Sequence, residues 1–133
     1  MENNLKVLKE QVKKGSVSAA LALAEGYKWG YFGMSDPRRA AAMYRICCRS
    51  KDKKTSALGY YNLGVLYYHG YLLPEEEAAK SRRLAYTCFL KSAMLDQRPE
   101  TLRLLGDMYR YGQYVEKDDK IAMDLYLRAN QGA

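Results

Sequence analysis

Hydrophobic and small residues recur along the chain at the three- and four-residue spacing of an amphipathic helix. Leu63, Tyr67 and Gly70, for example, share one helical face. Glycine-rich and charged segments interrupt this periodicity, and the three prolines stand where a helix can begin. The pattern predicts an all-α protein with helices near residues 3–14, 17–29, 37–50, 56–69, 75–95, 99–111 and 118–130.

One eight-residue pattern, Leu-(Gly/Ala)-x-x-Tyr-x-x-Gly, occurs three times, at offsets of 40 and 42 residues. Its copies are Leu23–Gly30, Leu63–Gly70 and Leu105–Gly112. Each copy continues with an acidic residue, an alanine and, four positions later, an aromatic residue. These are Asp36, Ala40 and Tyr44, then Glu76, Ala85 and Phe89, then Asp118, Ala122 and Tyr126. The chain is therefore built from internal repeats, and each repeat reads as two helices.

The repeated pattern resembles the Sel1-like repeat, a relative of the tetratricopeptide repeat, over about residues 16–132. The resemblance implies a right-handed α/α solenoid of three helix-turn-helix repeats with an N-terminal capping helix. The implied single domain, 1–133, divides into the cap 1–15 and the repeats 16–54, 55–96 and 97–133. The second repeat holds a five-residue insertion within Pro74–Leu84, which we expect to lengthen its second helix at the N-terminal end or to form a short extra turn.

Glycines mark two kinds of position in these repeats. Gly30, Gly70 and Gly112 suit the left-handed residue that ends a helix. Gly64 and Gly106 lie inside predicted helices, where glycine lowers helix propensity, so they predict close contacts between helices.

The resemblance implies a protein–protein interaction module, an adaptor or scaffold rather than an enzyme, that binds a peptide or partner protein in its concave groove. In tetratricopeptide-like stacks the non-consensus positions of each first helix line that groove. Here they carry aromatic rings and cations, which dominate binding hot spots, although such rings can instead pack against a neighbouring repeat. The predicted partner-binding residues are Lys28, Trp29, Tyr61, Asn62, Tyr68, His69, Arg103, Arg110 and Tyr111.

Charge changes this picture in one respect. The net charge is +7, and residues 1–54 alone hold 12 Lys and Arg against 5 Asp and Glu. This asymmetry could favour an acidic protein partner, nucleic acid or an anionic membrane surface, with a simply solvated face as the alternative. The basic runs lack interleaved aromatic residues, which argues against nucleic acid. The basic surface of the first repeat is the second candidate for partner binding, and it carries Arg38, Arg39, Arg45 and Arg49.

Composition bounds the remaining chemistry. The first 15 residues lack the apolar core of a signal peptide, and no apolar run reaches membrane-spanning length. We expect a cytoplasmic protein without membrane insertion, with secretion by a specialised system left open. His69 is the only histidine and there is no Cys-x-x-Cys, so we expect neither a metal nor a cofactor. Cys47, Cys48 and Cys88 are expected to be unpaired, reduced and mostly buried.

Two other functions stay open from the sequence. An immunity-type or inhibitory binder of a toxin or effector would share this fold and need a folded partner. A β-lactam-binding or hydrolysing enzyme is the weaker alternative, since Ser50 and Lys53 match the Ser-x-x-Lys motif of serine β-lactamases. In those enzymes the downstream Lys-Thr element lies far away on a strand, whereas Lys54 directly follows here, which favours a chance match.

Overall fold

A computed structural model describes residues 2–131 of the chain and the side chains of residues 4–131. Seven α-helices and one 3₁₀ turn make up the regular structure of this part, and it contains no strand. The elements are α1 (Glu2–Lys13), α2 (Val17–Trp29), α3 (Pro37–Cys48), α4 (Lys53–Tyr68), the 3₁₀ turn (Glu75–Glu77), α5 (Ala78–Leu95), α6 (Pro99–Tyr111) and α7 (Asp119–Gln131). The seven helices predicted from the sequence are confirmed.

Side-chain caps fix several helix starts. Asp36 accepts a 3.1 Å hydrogen bond from the Arg39 backbone N–H at the start of α3, and Pro37 occupies the first turn. Asp52 caps α4 in the same way, through the Thr55 backbone N–H at 3.1 Å. The predicted start of α4 near residue 56 was wrong because this cap starts the helix at Lys53.

Glycine ends the first helix of each repeated pair. Gly30, Gly70 and Gly112 have φ values of 76°, 76° and 64°, in the left-handed region where a Cβ is disfavoured. The Gly30 N–H returns to the Gly26 carbonyl, which satisfies a carbonyl that the helix leaves unpaired. The chain therefore turns at equivalent points in all three repeats.

Two glycines allow an aromatic ring of the second helix to lie on the first. A Cβ at Gly64 would stand 2.6 Å from the Phe89 ring, and one at Gly106 would stand 2.6 Å from the Tyr126 ring. Neither position has room for a methyl group, so the close contacts predicted from these glycines are confirmed.

The helices stack in chain order, each packing against the next from α1 to α7. One buried cluster joins the first two helix pairs and includes Leu23, Tyr44 and Leu66. A second cluster, which includes Phe89 and Leu105, joins the last two pairs. This arrangement gives every repeat a core that its neighbour completes, as expected for a solenoid.

The extra residues of the second repeat lie before and within α5. This helix has 18 residues, against 12 in α3 and 13 in α7, and the 3₁₀ turn precedes it. The insertion therefore lengthens the second helix at its N-terminal end, as predicted.

The three thiols are unpaired, with Cys47 and Cys88 buried and Cys48 half-buried. Burial raises the pKa of Cys48 to about 12 and that of Cys88 to about 11, and it also raises the pKa of Cys47. A raised pKa lowers the thiolate fraction near neutral pH, so we expect these cysteines to act as packing residues.

Candidate functional site

At the ends of α2 and α6, equivalent positions of the repeat pair a cation with an exposed aromatic ring. The Lys28 ammonium lies 5.2 Å from the centre of the Trp29 ring, and the Arg110 guanidinium lies 5.4 Å from that of Tyr111. Trp29 is 62% exposed and Tyr111 is 63% exposed. The equivalent pair at the end of α4 is Tyr68 and His69, edge to face at 5.4 Å.

A cavity of about 460 Å³ separates the ends of α2 and α4, and we call it the Trp29 cavity. Its size falls within the range of small-ligand and anchor pockets. Of the predicted residues, Lys28, Trp29 and His69 line it. Its other lining residues are Ser35, Pro37, Val65, Leu66 and Tyr71.

Hydrogen bonds to Glu25 fix the orientation of the Trp29 ring. The indole Nε1–H donates to Glu25 Oε2 at 3.1 Å, and the Tyr44 hydroxyl donates to Glu25 Oε1 at 2.7 Å. Tyr44 is fully buried, and burial together with the Glu25 charge raises its pKa above the usual range. The exposed indole is thereby tied to the core, which reduces the conformational entropy that it can lose on binding.

Asn62 supports Lys28 instead of facing a partner. Its side chain is only 5% exposed, and its Nδ2 donates to the Leu58 carbonyl at 3.0 Å. Its Oδ1 accepts from Lys28 Nζ at 3.5 Å. Within residues 4–131 no carboxylate lies within 4.0 Å of the Lys28 ammonium, so this cation is available to an external anion.

The remaining predicted residues lie outside the Trp29 cavity. Tyr68 donates to Gln113 Oε1 at 2.8 Å and so ties the end of α4 to the turn after α6. Arg110 lines a separate cavity of about 370 Å³, formed mainly by α7 residues. Tyr61 is half-buried, with its ring 6.3 Å from that of Phe89, and burial raises its pKa. Arg103 is exposed and lines neither cavity.

Tyr71 is an aromatic residue of the Trp29 cavity that is absent from the predicted set. It is 59% exposed, and its ring lies 5.8 Å from that of His69. It lies in the turn after α4, beyond the helix positions expected to line the groove. One sequence signal points to it, because an aromatic residue directly follows the terminal glycine in the first two repeats, as Tyr31 and Tyr71.

The Ser-x-x-Lys match has a local structural role. The Ser50 hydroxyl accepts a 3.2 Å hydrogen bond from the Asp52 backbone N–H in the turn before α4. Lys53 is the first residue of that helix. The serine therefore shapes a helix start, and the turn shows no nucleophile paired with a base.

Comparison with known proteins shows the family to which the chain belongs. The Sel1 repeat family model matches residues 17–51, 57–97 and 99–132, so the chain belongs to the Sel1 repeat family. Sel1 repeats generally form protein-interaction modules. No curated protein matches the chain. None of the helices within residues 2–131 is long and apolar enough to cross a bilayer.

Two solved structures share the fold. One is the crystal structure of c5321, a protective antigen present in uropathogenic Escherichia coli strains displaying an SLR fold, with a TM-score of 0.76 and 24% identity. The match covers 96% of this chain but only 25% of that one, so the chain spans a quarter of its length. The other is a Sel1 repeat protein from Oxalobacter formigenes, with a TM-score of 0.74, 22% identity and coverage of 97% and 91%. These likenesses confirm the predicted all-α solenoid of Sel1-like repeats.

Proposed function

We propose that the chain is an adaptor or scaffold module that binds an extended, acidic segment of a partner protein over the Trp29 cavity. The observation that carries this proposal is the cavity itself, which is lined by an exposed, hydrogen-bonded tryptophan and by a cation with no carboxylate within 4.0 Å among residues 4–131. The three unpaired thiols support a reducing compartment such as the cytoplasm.

The aromatic rim supplies the apolar part of the binding energy. Trp29, His69 and Tyr71 line one cavity, and tryptophan and tyrosine give large contact areas with few rotatable bonds. Because Glu25 already holds the indole, little rotamer entropy remains to be lost on binding. An apolar partner side chain inserted between these rings would be desolvated on both faces.

The cations supply the preference for acidic segments. Lys28 lines the cavity, and no carboxylate of the described side chains lies within 4.0 Å of its ammonium, so a partner carboxylate is the group that best matches it. Arg110 offers a second cation beside the exposed ring of Tyr111. The net charge of +7 would raise the association rate of an acidic partner at low ionic strength.

Retention of proteins from an extract of the native host tests the proposal. The wild-type chain, Trp29→Ala and Tyr31→Ala are immobilised at equal density. Tyr31 is the matched control because it is an exposed aromatic residue, close in sequence, that does not line the cavity. We expect the wild type and Tyr31→Ala to retain a protein that Trp29→Ala does not retain. Equal retention by all three would contradict binding at the cavity.

A further inference from the structure

A second cleft, of about 310 Å³, lies between α3, α4 and α5, and it differs from the Trp29 cavity in charge. Its lining includes the cations Arg45, Arg49 and Lys91 and no acidic residue. The rest of the lining is largely apolar or aromatic and includes Leu63 and Cys88. We call it the basic cleft, and the proposed peptide-binding function makes no use of it.

Two of these cations contact aromatic side chains and not carboxylates, one through a hydrogen bond and one through a cation–π contact. Arg45 Nη2 donates to the Tyr67 hydroxyl at 3.0 Å, and Lys91 Nζ lies 5.5 Å from the centre of the Tyr60 ring. Within residues 4–131, neither these two cations nor Arg49 has a carboxylate within 4.0 Å. Three positive charges therefore line one cleft, and no carboxylate of the described side chains pairs with them.

The positive charges of the cleft also act on its two thiols, Cys48 and Cys88. The positive charges of Arg45 and Arg49 oppose the rise in the pKa of Cys48, and those of Lys91 and Arg45 oppose the rise at Cys88. Arg45 thus acts on both thiols, and each of the other two cations acts on one. The geometric observation is that all three charged groups line the same cleft.

The junction between the second and third repeats shows whether stacking alone requires cations at these positions. When the repeats are aligned, the second junction has Leu90 and Met94 at the positions of Arg45 and Arg49. It has Arg128 at the position of Lys91. Arg128 is neutralised by Asp124, with Nη2 and Oδ2 3.1 Å apart. Stacking of one repeat on the next therefore does not require cations at all three positions, and within residues 4–131 the second junction has no carboxylate-free group of three cations at the equivalent positions.

We propose that the basic cleft binds a small aryl anion, a ring that carries a phosphate, sulfonate or carboxylate group. The anionic group would be held by charge-assisted hydrogen bonds from Arg45, Arg49 and Lys91, and the ring would lie on the apolar floor. The mostly apolar lining favours an anion with an apolar body over a fully hydrated inorganic ion, because burial of the ring adds the hydrophobic contribution.

Titration of the ¹⁵N-labelled chain with phenyl phosphate at low ionic strength tests this assignment. Saturable shifts of backbone amide signals are expected at the end of α3 and in α5. Phenol, which is neutral, should give no saturable shift, and inorganic phosphate should bind more weakly than phenyl phosphate. Arg45→Gln and Lys91→Gln should each raise the Kd for phenyl phosphate by about fivefold or more.

Arg38→Gln is the matched control for these variants. Arg38 is an exposed arginine of α3 that does not line the cleft, so its loss should change the Kd by less than about twofold through the general field alone. Preserved dispersion of the amide spectrum shows that each variant is folded. The proposal would be overturned if phenyl phosphate gave no saturable shifts or gave shifts centred on the Trp29 cavity. Equal Kd values for wild type, Arg45→Gln and Lys91→Gln would also overturn it.

Discussion

The Tyr44 hydroxyl donates a 2.7 Å hydrogen bond to Glu25, and the equivalent residues of the third repeat, Tyr126 and Asp107, form the same pair. In the second repeat these two positions are apolar, Phe89 and Val65. The tyrosine–carboxylate pair is therefore a property of the first and third repeats. In the first repeat it also fixes the Trp29 ring through the second oxygen of Glu25.

Replacing one member of the pair should be more harmful than replacing both. Tyr44→Phe leaves the Glu25 carboxylate without its buried donor, and it should lower the free energy of unfolding by about 1–3 kcal/mol. The double variant Glu25→Val with Tyr44→Phe reproduces the apolar pair of the second repeat and should recover part of that loss. Urea denaturation of the single and double variants measures both effects. Additive losses would show that the two side chains do not interact.

Gly64→Ala and Gly106→Ala should both destabilise the chain. Alanine inside a helix normally stabilises it by up to about 1 kcal/mol relative to glycine. Here the added Cβ would stand 2.6 Å from the ring of Phe89 or Tyr126, and such overpacking lowers the free energy of unfolding by about 1–3 kcal/mol. Thermal melts give the sign directly. A higher Tm for either variant would contradict the close contact.

Stability should fall at alkaline pH. The pKa values of Tyr86 and Tyr126 are raised to about 12, mainly by burial, and burial also raises that of Tyr44. An unfolded tyrosine ionises near pH 10, so the neutral phenols stabilise the fold below about pH 10. That contribution is lost as the pH rises toward 12. Urea denaturation between pH 8 and pH 11.5, with tyrosinate absorbance at 295 nm, tests this. Complete ionisation near pH 10 in the folded chain would contradict it.

The thiols should react slowly until the chain unfolds. With pKa values of about 12 and 11, Cys48 and Cys88 hold little thiolate at pH 8, and Cys47 is fully buried. Ellman's reagent should therefore find little fast-reacting thiol in the native chain and three thiols in denaturant. A rapidly reacting native thiol would instead indicate a redox role for one of these cysteines.

The helices and most of their ends were predictable because their determinants are local, whereas the start of α4 was missed although its aspartate cap is also a local feature. Leu63, Tyr67 and Gly70 define a face and a helix end by spacing alone, and Asp36 caps α3 through a residue three positions away. The close contact at Gly64 was also predictable, because a glycine that weakens a helix leaves room for a neighbouring side chain to approach its backbone. Local chemistry thus defines the repeat and its two helices.

The site was less predictable because packing between repeats decides it. Asn62 occupies a groove position in the sequence, yet its amide is buried and bonded to Leu58 and Lys28. Arg110 points to a different cavity from Lys28, although the two are equivalent in the repeat. The basic cleft brings Lys91 to Arg45 only through the stacking of α5 on α4 and α3. None of these contacts follows from sequence spacing.

The affinity of the retained partner protein for wild type and Trp29→Ala is the most direct test of binding at the Trp29 cavity. Isothermal titration of the purified partner should show Trp29→Ala weaker by about 2 kcal/mol or more, roughly thirtyfold, as for a hot-spot tryptophan. Tyr31→Ala should bind like wild type, and both variants should keep the wild-type Tm within a few degrees, since both side chains are exposed. Equal affinity of Trp29→Ala and wild type would contradict the account.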